Sequence, residues 1–137
     1  MPDLRRIFCL LLLTTLPLFA PHRFSTVASA DTIVTGKMRW TSRYLWLGGW
    51  RLNGRITTTE VLFSTAKPPP VIPYRFLCSC CPLWPPPDSG SLEDLPGVWF
   101  LTKMGTEWTS AGECYEPGFR PIRELPEVRS WLLSRNQ

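Results

Sequence analysis

Histidine is nearly absent from this chain of 137 residues, and its scarcity excludes several kinds of catalysis. The only imidazole belongs to His22, which lies in a leader segment that we expect to be removed. A protein without histidine lacks the usual general base near neutral pH, the Ser-His-Asp triad, the Cys-His pair and histidine metal sites. No glycine-rich phosphate loop is present either. We therefore expect no catalytic residue, no cofactor and no metal site.

A clustered run of basic residues is also missing. The chain carries 15 Lys and Arg against 11 Asp and Glu, and removal of residues 1–30 takes away three arginines and one aspartate. The remaining net charge is about +2, with both signs scattered along the sequence. Binding to a phosphate backbone needs a clustered basic face. We therefore expect no nucleic-acid partner.

The longest apolar run is too short to span a membrane, and its context predicts an export signal. Arg5 and Arg6 precede the uncharged stretch 7–20 (IFCLLLLTTLPLFA), and Ala28-Ser29-Ala30 follows it. A basic start, an apolar centre and a closing A-x-A site are typical of a signal peptide. The run contains Pro17 and falls short of the roughly 20 residues that cross a bilayer.

We therefore predict a signal peptide at residues 1–30, a secreted or periplasmic location, and no stable membrane span after cleavage. Two alternatives stay open. The leader could remain as an uncleaved anchor. It could also be cut after Ala20, although Pro21 would then come first, a residue that peptidases tolerate poorly in this position.

Residues 31–137 consist mostly of short β-type runs separated by turn signals. Strand-forming residues dominate 31–40, 44–47, 50–52, 55–63, 71–78, 98–101 and 107–109, and Gly48-Gly49 breaks the second run from the third as a turn. Asn53-Gly54 between two such runs predicts a hairpin turn, and Gly105-Thr106 predicts a second turn. From residue 125 onward, Val128, Trp131 and Leu132 form an apolar stripe at helical spacing. We predict one mainly β domain over 31–137: a small five-stranded barrel of the oligonucleotide/oligosaccharide-binding (OB) type with a short C-terminal helix.

Four cysteines follow the leader, and an oxidising compartment favours disulfides between them. Cys78, Cys80 and Cys81 form a cluster, whereas Cys114 lies apart. Pairing all four requires one bridge inside the cluster, and the C-x-x-C spacing closes most easily. We predict Cys78–Cys81 with Cys80–Cys114, or a single long bridge to Cys114 that leaves two thiols free. The long bridge would close a loop of about 33 residues and stabilise the fold by roughly 3–4 kcal/mol.

The cysteine cluster at residues 78–81 also permits two functional interpretations. One is thiol–disulfide exchange, but prolines follow the cluster, where redox motifs usually open a helix that lowers the thiol pKa. The other is a metal-thiolate site, although zinc usually takes two well-separated C-x-x-C pairs. Both stay alternatives to a structural role.

Seven tryptophans are many for this length. Trp99 and Trp131 lie in apolar patterns typical of core residues. Trp40, Trp46 and Trp50 lie near glycines and are candidates for exposed aromatic contacts with a sugar or a peptide, because tryptophan combines a large area with a polar N–H.

Four stretches of the chain resemble the netrin-like module, the family that includes the tissue inhibitors of metalloproteinases. Residues 30–37 (ADTIVTGK) resemble its first strand, 56–63 its long third strand, 97–101 a later strand, and 125–133 its terminal helix. The resemblance spans about residues 30–133 and implies a five-stranded OB-type barrel cross-linked by disulfides. Those inhibitors reach a catalytic zinc through a Cys-x-Cys at the mature N-terminus. Cys78-Ser79-Cys80 lies mid-chain here, so the resemblance does not carry that role over.

These observations together predict an exported, non-catalytic binding or interaction module whose partner is an extracellular protein or glycan. The alternative from another class is an extracytoplasmic thiol-redox or metal-thiolate protein that uses residues 78–81. A third class, glycoside hydrolysis, would need paired carboxylates, for which Glu93, Asp94, Glu113 and Glu116 are the candidates.

Overall fold

The computed structural model describes residues 21–46, 49–78, 93–112 and 118–136. These residues form six strands, two short 3₁₀ helices and one α-helix. In chain order they are the 3₁₀ helix Pro21–Val27, β1 (Thr32–Trp46), β2 (Gly49–Ser64), β3 (Val71–Cys78), β4 (Pro96–Met104), β5 (Glu107–Ser110), β6 (Phe119–Pro121), the 3₁₀ helix Ile122–Glu124, and α1 (Leu125–Arg135).

The first five strands close into a barrel. Their order is β1-β2-β3-β5-β4, and β4 pairs back onto β1. All neighbours are antiparallel except β3 and β5, which run parallel. The short strand β6 adds to β4 at residues 97–99. The predicted fold class, a mainly β five-stranded barrel with a short C-terminal helix, is confirmed.

The seam between β1 and β4 is built on two facing glycines. Gly36 and Gly97 are directly paired there. A Cβ atom on Gly36 would lie 2.3 Å from the carbonyl oxygen of Thr57, and one on Gly97 would lie 2.0 Å from the ring of Phe119. The indole N–H of Trp99 donates to the Gly36 carbonyl oxygen at 3.2 Å. Glycine is needed at both positions because the neighbouring backbone and ring occupy the space of a side chain.

The barrel interior is filled by alternate residues of the five strands, as expected for a small closed barrel. The buried set is Val34, Met38, Leu52, Ile56, Ile72, Tyr74, Phe76, Trp99, Leu101 and Trp108. The indole of Trp108 donates to the hydroxyl of Thr32 at 3.3 Å, so its buried polar group is satisfied. Each fully buried large apolar side chain contributes about 1.5–3 kcal/mol, which makes this interior the main source of stability.

A second apolar cluster lies on the outside of the wall formed by β1 and β4. Ile33, Val98 and Phe100 point away from the barrel interior and are fully buried. Helix α1 covers them with Val128, which is fully buried, and with Trp131, which is partly buried. The predicted helix and its apolar stripe are confirmed.

The N-terminal segment (residues 21–30) covers the remainder of the second cluster. Phe24, Val27 and Ala30 are buried with exposures of 3%, 0% and 3%. The predicted end of the leader at residue 30 is not tested by the strand arrangement and stays a prediction.

Two local predictions for the chain that follows β2 are confirmed. Strand β3 has the predicted bounds, Val71–Cys78. Met104 pairs with Glu107 across a two-residue turn, and Gly105 there has a φ of 63°. Glycine at the first central position is typical of a type II′ hairpin turn.

The hairpin turn predicted at Asn53-Gly54 is wrong, because both residues lie inside β2. Gly54 pairs with Trp40 on one side and with Tyr74 on the other. A Cβ atom on Gly54 would lie 3.0 Å from the carbonyl oxygen of Arg39. This glycine therefore serves close packing between strands rather than a positive φ, and the reversal from β1 to β2 comes instead between residues 46 and 49.

We predict that Gly36→Ala lowers the free energy of unfolding by about 1–3 kcal/mol, because the added methyl group collides with the backbone of β2 at Thr57. The matched control is Thr57→Ala, an exposed position on the facing strand, which should change stability by less than about 0.5 kcal/mol. Urea denaturation followed by tryptophan fluorescence measures both. Equal effects of the two variants would contradict the close approach of the β2 backbone to Gly36.

Candidate functional site

The cysteines predicted to form disulfides fall largely outside the described residues. Cys80, Cys81 and Cys114 lie outside the described ranges. Cys78 is the last residue of β3, and its side chain is not among those described. The pairings Cys78–Cys81 and Cys80–Cys114, and the single-bridge alternative, therefore stay predictions.

The strand directions nevertheless bear on the long bridge to Cys114. Tyr74 of β3 pairs in parallel with Trp108 of β5. Because the two strands run in the same direction, Cys78 and Ser110, their last residues, lie toward the same end of the barrel. The chain thus leaves both strands at one end, an arrangement compatible with a bridge from the cluster to Cys114.

Of the three tryptophans predicted as exposed contacts, Trp46 and Trp50 lie near this same end of the barrel, whereas Trp40 lies farther along β1. Trp46 ends β1, and Trp50 near the start of β2 pairs with Cys78, but the side chains of both fall outside the description. Trp40 is half-buried, and its ring lies 6.0 Å from that of Tyr74. Trp40 also packs against the barrel core, so much of its surface is used within the fold.

The structure brings together a basic row that the linear sequence does not show. Arg39 of β1 and Arg55 of β2 face each other directly in the strand register. Lys37 lies two residues before Arg39 on the same outward face, about 7 Å away along the strand. All three side chains are exposed. We name these three residues the basic row.

Asp94 neutralises one member of the basic row. Its carboxylate accepts a hydrogen bond from the Arg39 guanidinium at 3.0 Å, and this bond raises the pKa of Arg39. The backbone N–H of Asp94 donates to the Met38 carbonyl oxygen at 2.9 Å, and its φ is 60°. Directly opposed like charges destabilise a sheet. The ion pair at Asp94 relieves that repulsion between Arg39 and Arg55.

Lys37 and Arg55 have no acidic partner within the described ranges. The described ion pairs join Arg39 to Asp94, Arg75 to Glu107, and Arg129 to Glu60. The basic row therefore presents on one exposed sheet face two positive charges that no acidic residue of the described ranges pairs with. Sequence reasoning missed it because the register sets Arg39 opposite Arg55, although the spacing Lys37-x-Arg39 was visible as two cations on one face of a strand.

The carboxylates considered for hydrolysis do not form a described pair in a cleft. Glu93 and Asp94 are exposed, and Asp94 is committed to Arg39. Glu113 and Glu116 lie outside the described residues. The part of the chain that the structure describes also holds no group of three or more His, Cys, Asp or Glu residues able to bind a metal ion.

In comparisons with known proteins, no family model, no curated protein and no solved structure matches this chain. Among the described residues, no helix is long and apolar enough to cross a membrane.

We predict that peptide mapping without reduction, on protein produced in an exporting host, recovers the Cys114 peptide linked to a peptide from residues 78–81. The reason is that both segments leave the barrel at the same end and would meet in an oxidising compartment. Alkylation under denaturing conditions measures the free thiols, with zero or two expected after the leader. A fully alkylated Cys114 would contradict the long bridge.

We also predict that the buried phenol of Tyr74 makes the stability of the fold depend on pH in the alkaline range. Burial raises the pKa of Tyr74 above its ordinary value, while its hydrogen bond to Ser110 acts in the opposite direction. The folded state therefore keeps a proton that the unfolded state releases above about pH 10. The free energy of unfolding should fall as the pH rises above 10, by up to about 1.4 kcal/mol per pH unit from this one group.

Denaturation of the wild type and of Tyr74→Phe between pH 9 and 11 measures this slope. The variant should have a flatter slope, because phenylalanine has no proton to release. If the free energy of unfolding falls with pH equally steeply in both proteins, Tyr74 is not the cause of the loss of stability at high pH.

Proposed function

We propose that this chain is an exported, non-catalytic binding module that contacts an anionic extracellular glycan through the basic row. The observation that carries the proposal is the juxtaposition of Lys37, Arg39 and Arg55 on one exposed face of the barrel. A sulfated or carboxylated glycan presents repeated negative charges, which complement adjacent guanidinium and ammonium groups.

The division of the barrel surface supports this choice of face. The outer wall of β1 and β4 is occupied by α1 and the N-terminal segment. Helix α1 contacts β2 near the C-terminal end of that strand. There the Arg129 guanidinium donates to the Glu60 carboxylate at 2.8 Å, and the Arg135 guanidinium lies 5.5 Å from the Phe63 ring. The part of β2 that carries Arg55 pairs with β1 and β3 and has its outward side chains exposed or half-buried.

The strand order supports a further classification that we also propose, the OB-type barrel. OB barrels commonly bind oligosaccharides and oligonucleotides on the face of their second and third strands. Arg55 lies on β2, next to Pro73 of β3. An exported protein meets glycans far more often than nucleic acids, which favours a glycan ligand.

The alternative proposal is a thiol-redox or metal-thiolate protein that uses residues 78–81. Counting free thiols and bound metal in the exported protein separates the two. Two labile thiols at the cluster, or a stoichiometric metal, would favour the alternative.

We predict that Lys37→Ala/Arg55→Ala weakens binding to immobilised heparin by roughly 30-fold at low salt, because each of the two cations contributes about 1 kcal/mol near an anionic surface. Isothermal titration or surface plasmon resonance measures the dissociation constant. The matched control is Lys67→Ala/Arg123→Ala, which removes the same charge from exposed positions elsewhere and should change affinity by less than about threefold. Equal losses of heparin affinity in the two double variants would show that net charge alone, and not the basic row, determines binding.

The variant Asp94→Asn gives a change in the opposite direction. It frees Arg39 from its ion pair, and asparagine tolerates the left-handed backbone at this position. We expect affinity for heparin to rise about threefold and binding to a neutral dextran to stay undetectable. Loss of affinity in this variant would contradict the role of the basic row.

A further inference from the structure

The N-terminal segment (residues 21–30) behaves as a part of the fold rather than as the end of a discarded leader. Phe24 and Val27 point into the second apolar cluster with exposures of 3% and 0%. The ring of Phe24 stacks on the indole of Trp131 with centroids 5.0 Å apart, and it lies 6.2 Å from the ring of Phe100. These partners belong to α1 and β4, more than 70 residues away in the sequence.

The backbone of the segment runs without interruption into the start of β1. The N–H of Ala30 donates to the Val27 carbonyl oxygen at 3.1 Å, and the N–H of Asp31 donates to the Leu101 carbonyl oxygen at 3.0 Å. The Asp31 carboxylate accepts hydrogen bonds from the Lys103 backbone N–H at 2.9 and 3.1 Å. Asp31 is therefore fixed to β4 through its backbone N–H and its carboxylate, while Ala30 bonds back to Val27 within the segment and is itself buried.

Removal of the segment would uncover the apolar wall that it covers. Ile33, Val98 and Phe100 are fully buried on the outer side of the barrel. Helix α1 packs on the same cluster beside the segment, and the rings of Phe24, Phe100 and Trp131 contact one another with centroids 5.0–6.2 Å apart. A contiguous exposed apolar patch of this kind is rare on a monomeric soluble protein.

We propose that the folded, exported protein retains residues 24–30 as the lid of the second apolar cluster. Leader removal, the hydrolysis of one peptide bond by water, then takes place N-terminal to Phe24. Ala28-Ser29-Ala30 is in this case a structural turn: Ala28 N–H donates to the Ser25 carbonyl oxygen at 3.4 Å, and Ala30 is buried by the fold.

The test uses the full chain, expressed with its own leader in an exporting host and purified from outside the cytoplasm. Intact mass and N-terminal sequencing of the wild type should give a protein that contains Phe24. A folded protein that begins at Asp31 would overturn the proposal.

A pair of variants in the same chain tests whether the segment contributes to the fold. Phe24→Ala should lower the urea midpoint of the purified exported protein by about 1 M or more, since it leaves a cavity beside Trp131. Thr26→Ala, an exposed neighbour in the same segment, should shift the midpoint by less than about 0.3 M. Phe24→Leu, which keeps most of the buried volume, gives an intermediate shift and serves if Phe24→Ala is not recovered. A residue in a discarded leader cannot change the stability of the mature protein, so unchanged midpoints for both Phe24 variants would overturn the proposal.

Discussion

The pairing of β1 with β4 is the constraint on which the rest of the structure depends. It converts a curved sheet into a closed barrel, and its two paired glycines leave room for neighbouring elements, Gly36 for the backbone of β2 and Gly97 for the ring of Phe119 on β6. The same two strands bury Trp99 on the inside and Phe100 on the outside. One strand pair therefore organises both apolar clusters, and its loss would expose both of them.

Closure also divides the barrel surface into two parts with different chemistry. The wall of β1 and β4 is apolar outside and is covered by α1 and the N-terminal segment. The adjoining face of β1 and β2 carries the basic row and is exposed at Lys37 and Arg55. The proposed glycan contact rests on this division, because the first wall is covered within the fold while the second presents cations.

The sequence was sufficient where the structure is determined locally. Strand β3 is bounded by prolines and ends at the cysteine cluster, and α1 combines a proline in its first turn with an apolar stripe. The hairpin turn predicted at Asn53-Gly54 was wrong because a glycine required by close strand packing looks the same in sequence as one required by a turn. The basic row and the burial of Phe24 could not be predicted, since the first depends on strand register and the second on contacts with residues of β4 and α1. The cysteine chemistry remains a prediction from the sequence.

Hydrogen–deuterium exchange of the folded protein tests the closed seam most directly. Residues 32–37 and 96–101 are paired with each other and should exchange together as the slowest amides in the protein, because their opening requires global unfolding. Exchange of residues 32–37 as fast as a frayed edge strand, while β2 and β3 stay protected, would show an open sheet and would contradict the account.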